Sequence, residues 1–420
     1  MSMRRMLAAL ALLVGLSAHA QDIGYLPPEA LAMRALAAQP EVRAASAAAQ
    51  AAEAEAHSLT AGSYEWEAVL IPQQRTVQPN LRYREFEGQL SRRIRLPGKA
   101  AIDARIGMHT VTAARLRIDD ATHQAARRLG HDWMAWLRAS LLSEQADAQQ
   151  TLLRQAKQAL ERRVQLGDAA QRDLDLMQAE LAQLDAEALR AHAEADAARK
   201  ALVVTYPQLP LPAAPPPLPD PAPLPGGAAY WRDLIISRSH KIGIAREEAQ
   251  RQQEMAARAR ADRRPDPSIG VRVLDDRGGA ERAVGVVVSV PLGYRYRRDI
   301  AAREESRAQM AAADADGVAL TIAREAQATA DLAMARYAQW QAMHAAAAAQ
   351  ETASARTRRA WELGEAGLGE WLLAARSARQ ARAQEVQARV DALEAALLVR
   401  IDSHELWHDN EDEAGGTPRE

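Results

Sequence analysis

Apolar residues recur at spacings of three and four along several long stretches of the chain, which is typical of amphipathic helices. One stretch runs for 68 residues from Gly98 to Gln165 without a proline, and another runs for 70 residues from Tyr294 to Leu363. At a rise of 1.5 Å per residue, each helix would span about 100 Å, which exceeds the diameter of a globular domain of this size. We therefore predict long helices packed side by side as in coiled coils, and the periodicity alone fits a bundle or a barrel of helices equally.

A second pattern, alternation of apolar and polar residues, predicts a β-hairpin in the second half of the chain. Ser268 to Leu274 alternates, Asp275 to Glu281 supplies a glycine-containing turn, and Ala283 to Val290 is rich in valine. Each of the two runs is long enough for one strand.

The first half of the chain carries a similar but less regular hairpin pattern. Residues 64–67 alternate aromatic and acidic side chains, and the pattern resumes from Tyr83 to Leu96. Between them we predict a loop, because prolines interrupt the pattern at Pro72 and Pro79. Two hairpins give four strands, which cannot close a barrel because about eight strands are the practical minimum. A membrane barrel would need several chains, and the alternative is a small soluble sheet packed on helices.

The two halves of the chain repeat one another. Each half has an Ala-rich helical stretch, a hairpin, a Pro-Gly or Pro-Leu-Gly break, and two long helical stretches. Pro97 recurs 194 residues later as Pro291, and Gly167 recurs 197 residues later as Gly364. Such a fixed offset indicates an internal tandem duplication.

A proline-rich segment separates the repeats. Pro207 to Pro225 holds 10 of the 20 prolines of the chain, so we expect an extended, solvated connector. We accordingly divide the mature chain into a first repeat (21–206), a connector (207–227), a second repeat (228–408) and an acidic, disordered tail (409–420).

The first 20 residues have the pattern of a secretory signal peptide. Arg4 and Arg5 precede an apolar run from Met6 to Leu16, and Ala18-His19-Ala20 forms a small-x-small cleavage site. The apolar run is too short for a membrane anchor, which needs about 20 residues. We therefore expect the protein to be exported, with Gln21 at the mature amino terminus.

Composition narrows the classes of function. The net charge is -2, which provides no basic field for a nucleic-acid backbone. The chain has no cysteine, which excludes disulfides, thiolate catalysis and cysteine-type zinc sites. Only 4% of the residues are aromatic while alanine is abundant, so closely packed helices are favoured over an aromatic-rich core.

One short motif points to a different chemistry. His404-Glu405-Leu406-Trp407-His408 matches HExxH, in which a helix presents two histidines to zinc and the glutamate acts as a base. A peptidase, metal binding by His404, His408 and the acidic tail, and a solvated helix end are the three interpretations, and we favour the solvated helix end. No other catalytic spacing is present, so we predict no enzyme activity, no catalytic residue and no cofactor.

Several short motifs resemble those of the TolC-like outer-membrane efflux channels, in particular the branch that serves heavy-metal and other cation exporters. The likeness covers nearly the whole mature chain and departs from the family at Ser239-His240, where Asn-Pro is common. The motifs that carry it are Pro40-Glu41-Val42, Leu96-Pro97-Gly98-Lys99, Val286 to Arg295, Arg163 to Asp168 with Asp173-Leu174, and Trp361 to Glu365 with Glu370-Trp371.

The resemblance implies a mainly α fold with a small β part. Three chains would assemble, each giving four strands to a twelve-stranded outer-membrane β-barrel, with the long helices forming a periplasmic α-barrel below. The implied function is a passive exit duct for metal cations or other small solutes. Its implied partners are outer-membrane lipid, a periplasmic adaptor and an inner-membrane pump of the resistance-nodulation-division type, with no nucleic acid.

The resemblance also implies roles for particular residues. The turns at the ends of the long helices would be the periplasmic tips that contact the adaptor, and an acidic residue after each turn, Asp173 or Glu370, would line the closed entrance. A helix-dipole role for these two acids is the alternative. The tip residues are Leu166, Gly167, Asp168, Leu363, Gly364 and Glu365.

A periplasmic adaptor or coiled-coil scaffold is the main alternative function. Such a protein also has a signal peptide and a helical hairpin, but it usually has one hairpin, whereas this chain has two copies. The transported substrate, the choice of adaptor and pump, and the lipid-facing side of the first hairpin are left open by the sequence.

Overall fold

The computed structural model describes residues 24–408, so the predicted signal peptide (1–20) and acidic tail (409–420) lie outside the described residues. Each half of the chain contains two shorter helices, a β-hairpin and two long helices, in that order. The first half consists of α1 (Glu29–Ala37), α2 (Pro40–Ala61), β1 (Trp66–Val77), β2 (Leu81–Arg93), α3 (Lys99–Gln165) and α4 (Gln171–Thr205). The second consists of α5 (Gly227–Ser237), α6 (His240–Ala261), β3 (Ser268–Asp276), β4 (Glu281–Ser289), α7 (Tyr294–Glu362) and α8 (Leu368–Asp402).

The structure confirms the mainly helical fold and its internal repeat. Helices α3 and α7 have 67 and 69 residues, so each is about 100 Å long, as predicted. The corresponding helices of the two halves match in length, since α2 and α6 have 22 residues each and α4 and α8 have 35 each. Within the described residues, no helix is both long enough and apolar enough to cross a membrane.

The four strands form one antiparallel sheet in the order β1-β2-β3-β4. The hairpins are joined by the pairing of β2 with β3, in which Leu90 lies opposite Val271. The predicted loop around Pro72 is wrong, because Pro72 lies inside β1 opposite Phe86 and only residues 78–80 form the turn. Within the single chain β1 is at the edge of the sheet, the position in which a strand tolerates proline.

The main hydrophobic core lies where α1, α3, α4 and α8 meet. Two of its tryptophans come from the middle of α3, where the rings of Trp133 and Trp136 pack edge to face with their centroids 5.0 Å apart. Alanines such as Ala32 and Ala126 are completely buried there, which allows the helices to approach closely. This part of the fold uses the abundant alanine as the composition suggested.

The proline-rich connector has neither helix nor strand between residues 207 and 226, and it is only partly solvated. Leu209 and Leu218 are buried and belong to the main core. The guanidinium group of Arg389 on α8 donates hydrogen bonds to the backbone oxygens of Leu218 and Pro219. The expectation of a fully solvated connector is therefore wrong at these positions, because its leucines have apolar surface to bury.

Candidate functional site

The sheet has one face that is apolar across all four strands. The strand register places alternate residues of each strand on this face. Its large side chains are between 42% and 74% exposed in the single chain, although they form a continuous surface. Charged residues bound this face at its two ends, with Arg92 between Trp66 and Ile269 at one end and Asp275 and Arg282 at the other. The apolar residues between them are Trp66, Ala68, Leu70 and Pro72 in β1, Phe86, Gly88 and Leu90 in β2, Ile269, Val271 and Val273 in β3, and Val284, Val286 and Val288 in β4.

The opposite face of the sheet carries the charged and polar groups. Arg272 pairs with Glu87 at 2.7 Å, and Arg75 pairs with Glu85 at 3.2 Å. Glu85 is only 4% exposed, so the polar side chains crowd against one another on this face. Gly270 is required here, because a Cβ would lie 2.5 Å from the backbone oxygen of Leu90.

Exposed aromatic and apolar side chains surround the helix-proximal end of the sheet. Trp66 begins β1, and Leu292, Tyr294 and Tyr296 follow β4, all of them at least 62% exposed. The guanidinium group of Arg263 lies over the ring of Tyr294 at 5.7 Å. A belt of aromatic side chains beside an apolar band is typical of a protein surface at a membrane–water interface.

A buried ion pair joins the two repeats directly below the sheet. Lys99, which begins α3 and is 2% exposed, donates to Asp266 at 2.8 Å and to the backbone oxygen of Arg264 at 2.7 Å. Asp266 also accepts hydrogen bonds from the Leu96 backbone and the Tyr64 hydroxyl, both at 3.0 Å. Burial alone would raise the pKa of Asp266, but these hydrogen bonds hold that pKa below its usual value.

The predicted tips have the geometry that a helix reversal requires. Gly167 has φ +82° and Gly364 has φ +79°, a conformation that side chains with a Cβ adopt only with strain. Two backbone hydrogen bonds close each turn. At the first turn, the N–H of Gly167 donates to the oxygen of Val164 and the N–H of Asp168 donates to the oxygen of Arg163; Gly364 and Glu365 form the same two bonds at the second. This pattern is the Schellman motif.

Each turn exposes a leucine beside charged residues, Asp168 at the first and Glu365 at the second. Leu166 is 77% exposed and Leu363 is 57% exposed. Below the turns, α3, α4, α7 and α8 share one hydrophobic cluster, in which the rings of Trp361 and Trp371 stack at 4.6 Å. The structure thus brings the two predicted tips together on a common core.

The predicted gate residues occupy equivalent positions. Asp173 is the third residue of α4, and Glu370 is the third residue of α8. Asp173 pairs with Arg172 at 3.3 Å, whereas Glu370 is exposed. Both acids lie in the first turn of a helix, where the dipole favours a negative charge, so the helix-dipole interpretation still applies.

A second set of charged groups near the tips was missed by sequence reasoning. Glu180 of α4 is 5% exposed and accepts hydrogen bonds from Arg376 and Arg379 of α8. Burial would raise the pKa of Glu180, but these two guanidinium groups lower it below its usual value. Nothing in a single sequence links residues about 200 positions apart, although the 197-residue repeat offset places α4 and α8 in equivalent roles.

The carboxyl-terminal segment differs from the predicted solvated helix end. Helix α8 ends at Asp402, and His404 is only 6% exposed, with φ +58°. Because His404 and His408 are not on a continuous helix, the segment lacks the helical geometry that an HExxH zinc peptidase needs. The two imidazole rings nevertheless stack, with centroids 4.3 Å apart.

A third histidine, His240, completes this group. It is the first residue of α6, and its ring stacks on His404 at 4.3 Å. Burial lowers the pKa of His240 to about 4 and that of His404 to about 2, and the neighbouring imidazoles add to both shifts. His240 was noted in the sequence only as a departure from a family motif.

Taken together, these elements define a fold of paired long helices below a hairpin-built sheet, and that fold is known from bacterial outer-membrane channels. The chain is similar in structure to CusC, with a TM-score of 0.73 at 15% identity over 89% of this chain and 91% of that chain. It is also similar to the VceC outer-membrane protein of Vibrio cholerae, with a TM-score of 0.71 at 17% identity over 89% and 95% of the two chains. The CmeC channel of Campylobacter jejuni matches with a TM-score of 0.70 at 13% identity over 92% and 87%. No family model matches the sequence, and no curated protein matches it either.

Proposed function

We propose that three copies of this chain form an outer-membrane duct, the exit component of a tripartite efflux assembly. The observation that carries the proposal is the continuous, exposed apolar face of the sheet. An apolar surface of this kind on an isolated soluble chain would promote aggregation. Facing lipid, the same surface would be stabilised by about 25 cal/mol for each Å² removed from water.

The two-faced sheet supports an assignment of its orientation, which the sequence had left open. The apolar face, with Leu70 and Val286, would contact lipid. The opposite face, with Glu85, Glu87 and Arg272, would line the water-filled lumen. Alternation of lipid-facing and lumen-facing residues is the rule in transmembrane β-barrels.

The edges of the sheet support a multi-chain barrel. Within one chain, β1 and β4 each pair with only one neighbour. An unpaired edge is unfavourable in lipid, because each unpaired backbone group there costs several kcal/mol. Pairing of β4 with β1 of the next copy would close the sheet, and three copies would supply twelve strands.

The long helices support a periplasmic tunnel below the barrel. Their length of about 100 Å would carry the duct far into the periplasm. The exposed Leu166 and Leu363 at the tips would provide apolar contacts for a periplasmic adaptor, which would connect the duct to an inner-membrane pump. Gly167 and Gly364 would hold these leucines in place, with Asp168 and Glu365 beside them.

The proposed substrate class rests on the negative charge of two residues near the tips. Threefold symmetry would turn Asp173 and Glu370 into rings of three carboxylates at the tip end of the tunnel. Carboxylates held close together in a narrow pore attract cations. We therefore propose passage of metal cations or other small solutes, with the driving energy supplied by the pump.

Single-channel recording of the purified full-length protein in planar bilayers tests this proposal. The expected result is discrete conductance steps that are cation-selective. As a matched control, protein carrying Val286→Arg should give no steps because insertion fails. If the wild-type protein shows no conductance under any condition and is extracted without detergent, a periplasmic scaffold is favoured instead.

A further inference from the structure

The three histidines at the end of α8 and the start of α6 form a cluster that the proposed duct does not use. His240, His404 and His408 each offer a ring nitrogen, and these three nitrogens lie within 4.8 Å of one another. The chain has 10 histidines, and His123 also packs against this group, edge to face with His404 at 5.4 Å. Four of the histidines therefore meet at one point in the fold.

Two of the ring nitrogens lack the partners that buried polar atoms normally have. The Nε2 atoms of His240 and His404 are buried and make no hydrogen bond within the described structure. Leaving a buried nitrogen without a partner costs free energy, and native structures rarely do so without a reason. A metal ion between the rings would provide the missing partner for both atoms.

The fold does not require histidines at these positions. In the first repeat, α2 begins at Pro40, and α4 is followed by Tyr206 and Pro207, at the positions equivalent to His240, Ser403 and His404. That junction is closed by a hydrogen bond from Gln39 to the backbone oxygen of Thr205 at 3.2 Å. The second repeat makes a similar contact at neighbouring positions, from Arg238 to the backbone oxygen of Ser403 at 2.6 Å, and then adds the histidines.

The surroundings suit a cation. A cavity of about 430 Å³ adjoins His240, and its lining includes the carboxylates of Asp120, Glu325 and Asp402 as well as Arg127 and Lys241. Asp402 is already paired with Arg127 and His123, so Asp120 and Glu325 are the carboxylates that would offset the positive amino end of the α6 dipole. The Nε2 atom of His123 is hydrogen-bonded to Asp402 at 3.0 Å, so His123 packs beside the three rings as a neighbour rather than a ligand.

We infer that His240, His404 and His408 bind one divalent transition-metal ion, with zinc, copper, nickel or cobalt as the matching class. Neutral imidazole is a preferred ligand of these ions, whereas magnesium and calcium prefer oxygen. Metal–nitrogen bonds of about 2.0–2.1 Å require the ring nitrogens to converge from their present spacing, which side-chain rotation can supply. The bound ion would tie the carboxyl-terminal segment to α6.

Isothermal titration of the full-length, chelator-treated protein with Zn²⁺ tests this site. We expect one tight site per chain in the wild type, weakened at least tenfold in His240→Gln and in His404→Gln. His57→Gln, which changes an exposed histidine of α2, is the matched control and should bind like the wild type. Tight binding that persists in the His240→Gln, His404→Gln double variant would overturn the assignment, because it would place the ion elsewhere, for example on the acidic tail.

X-ray absorption of the zinc-loaded wild type tests the same site without a variant. The expected spectrum shows imidazole scattering from three histidines at about 2.0 Å. A spectrum dominated by oxygen ligands would overturn the inference, even if the histidine variants were too unstable to interpret.

Discussion

Lys99 Nζ lies 2.8 Å from Asp266 Oδ1, although the two residues are 167 positions apart and belong to different repeats. This contact explains the lysine of the Leu96-Pro97-Gly98-Lys99 motif. It fixes the start of α3 against the segment that leads into β3. The sheet is thereby held in a defined position above the long helices.

We predict that Lys99→Ala strongly destabilises the protein. Removing the lysine leaves Asp266 buried without its cation, and loss of one partner of a buried pair costs about 3–5 kcal/mol. Thermal unfolding of the detergent-extracted protein measures the effect. The matched control is Lys200→Ala, which breaks an exposed pair with Asp196 and should change the free energy of unfolding by less than about 1 kcal/mol. Equal effects of the two variants would contradict the structural role of Lys99.

The lowered pKa of Asp266 predicts a dependence of stability on pH. Because the pKa is below its usual value in the folded state, the stabilisation is complete above the unfolded-state pKa and is lost as the pH falls through the folded-state pKa. The melting temperatures of wild type and Asp266→Asn should therefore differ most near neutral pH and converge in acid, below about pH 4. A difference that stays constant from pH 7 to pH 3 would argue against an ionised Asp266.

Adjacent residues of β4 should respond in opposite ways to the same substitution. Val286 lies on the apolar face, opposite Val271, and Val287 lies on the polar face, opposite Gly270. Arginine on a lipid-facing position near the bilayer centre costs about 2–4 kcal/mol, whereas arginine in a lumen is solvated. We expect Val286→Arg to abolish insertion into the outer membrane and Val287→Arg to insert but to reduce cation selectivity. Membrane fractionation followed by conductance measurement distinguishes them, and the reverse result would invert the assigned faces.

The tip glycines should be needed for efflux rather than for insertion. A valine at φ near +80° is strained by about 1–3 kcal/mol, so Gly167→Val together with Gly364→Val should distort both turns. We expect efflux in cells to fall while the amount of protein in the outer membrane is unchanged. Gly317→Val is the control, since that glycine lies within α7 with nothing near its Cβ position. Undiminished efflux in the double variant would mean that the turns are not the adaptor contact.

The acids after the tips should differ in their effect on ion selectivity. Asp173 is partly neutralised by Arg172, whereas Glu370 is exposed on the first turn of α8. We predict that Glu370→Gln reduces cation selectivity and block by divalent ions at the periplasmic mouth, and that Asp173→Asn has a smaller effect. Reversal potentials and divalent block in planar bilayers measure both. If neither variant changes them, the two acids serve only the helix dipole.

The long helices, their turns and the repeat were predictable because they depend on local features of the sequence. Proline-free stretches, apolar spacing and glycine at a helix end act over a few residues. The path of β1 was mispredicted at Pro72, since a proline is tolerated in an edge strand and the edge position depends on the whole sheet. The burial of the connector's leucines was not predictable either, because the helices that bury them are distant in sequence.

The charged clusters could not be predicted for a related reason. Glu180 and Arg376 meet only because α4 and α8 share a core, and His240 reaches His404 only because two helix ends coincide. Comparison of the repeats could have drawn attention to His240, since it replaces the proline that begins α2. The faces of the sheet became assignable only once the strand register was known.

Native mass spectrometry of the detergent-extracted complex shows whether three chains close one barrel. The proposed twelve-stranded barrel, closed by pairing β4 of one copy with β1 of the next, requires three chains because each chain supplies four strands. We expect a single species with three times the mass of the processed chain. A protein that remains monomeric after extraction from the outer membrane would contradict it.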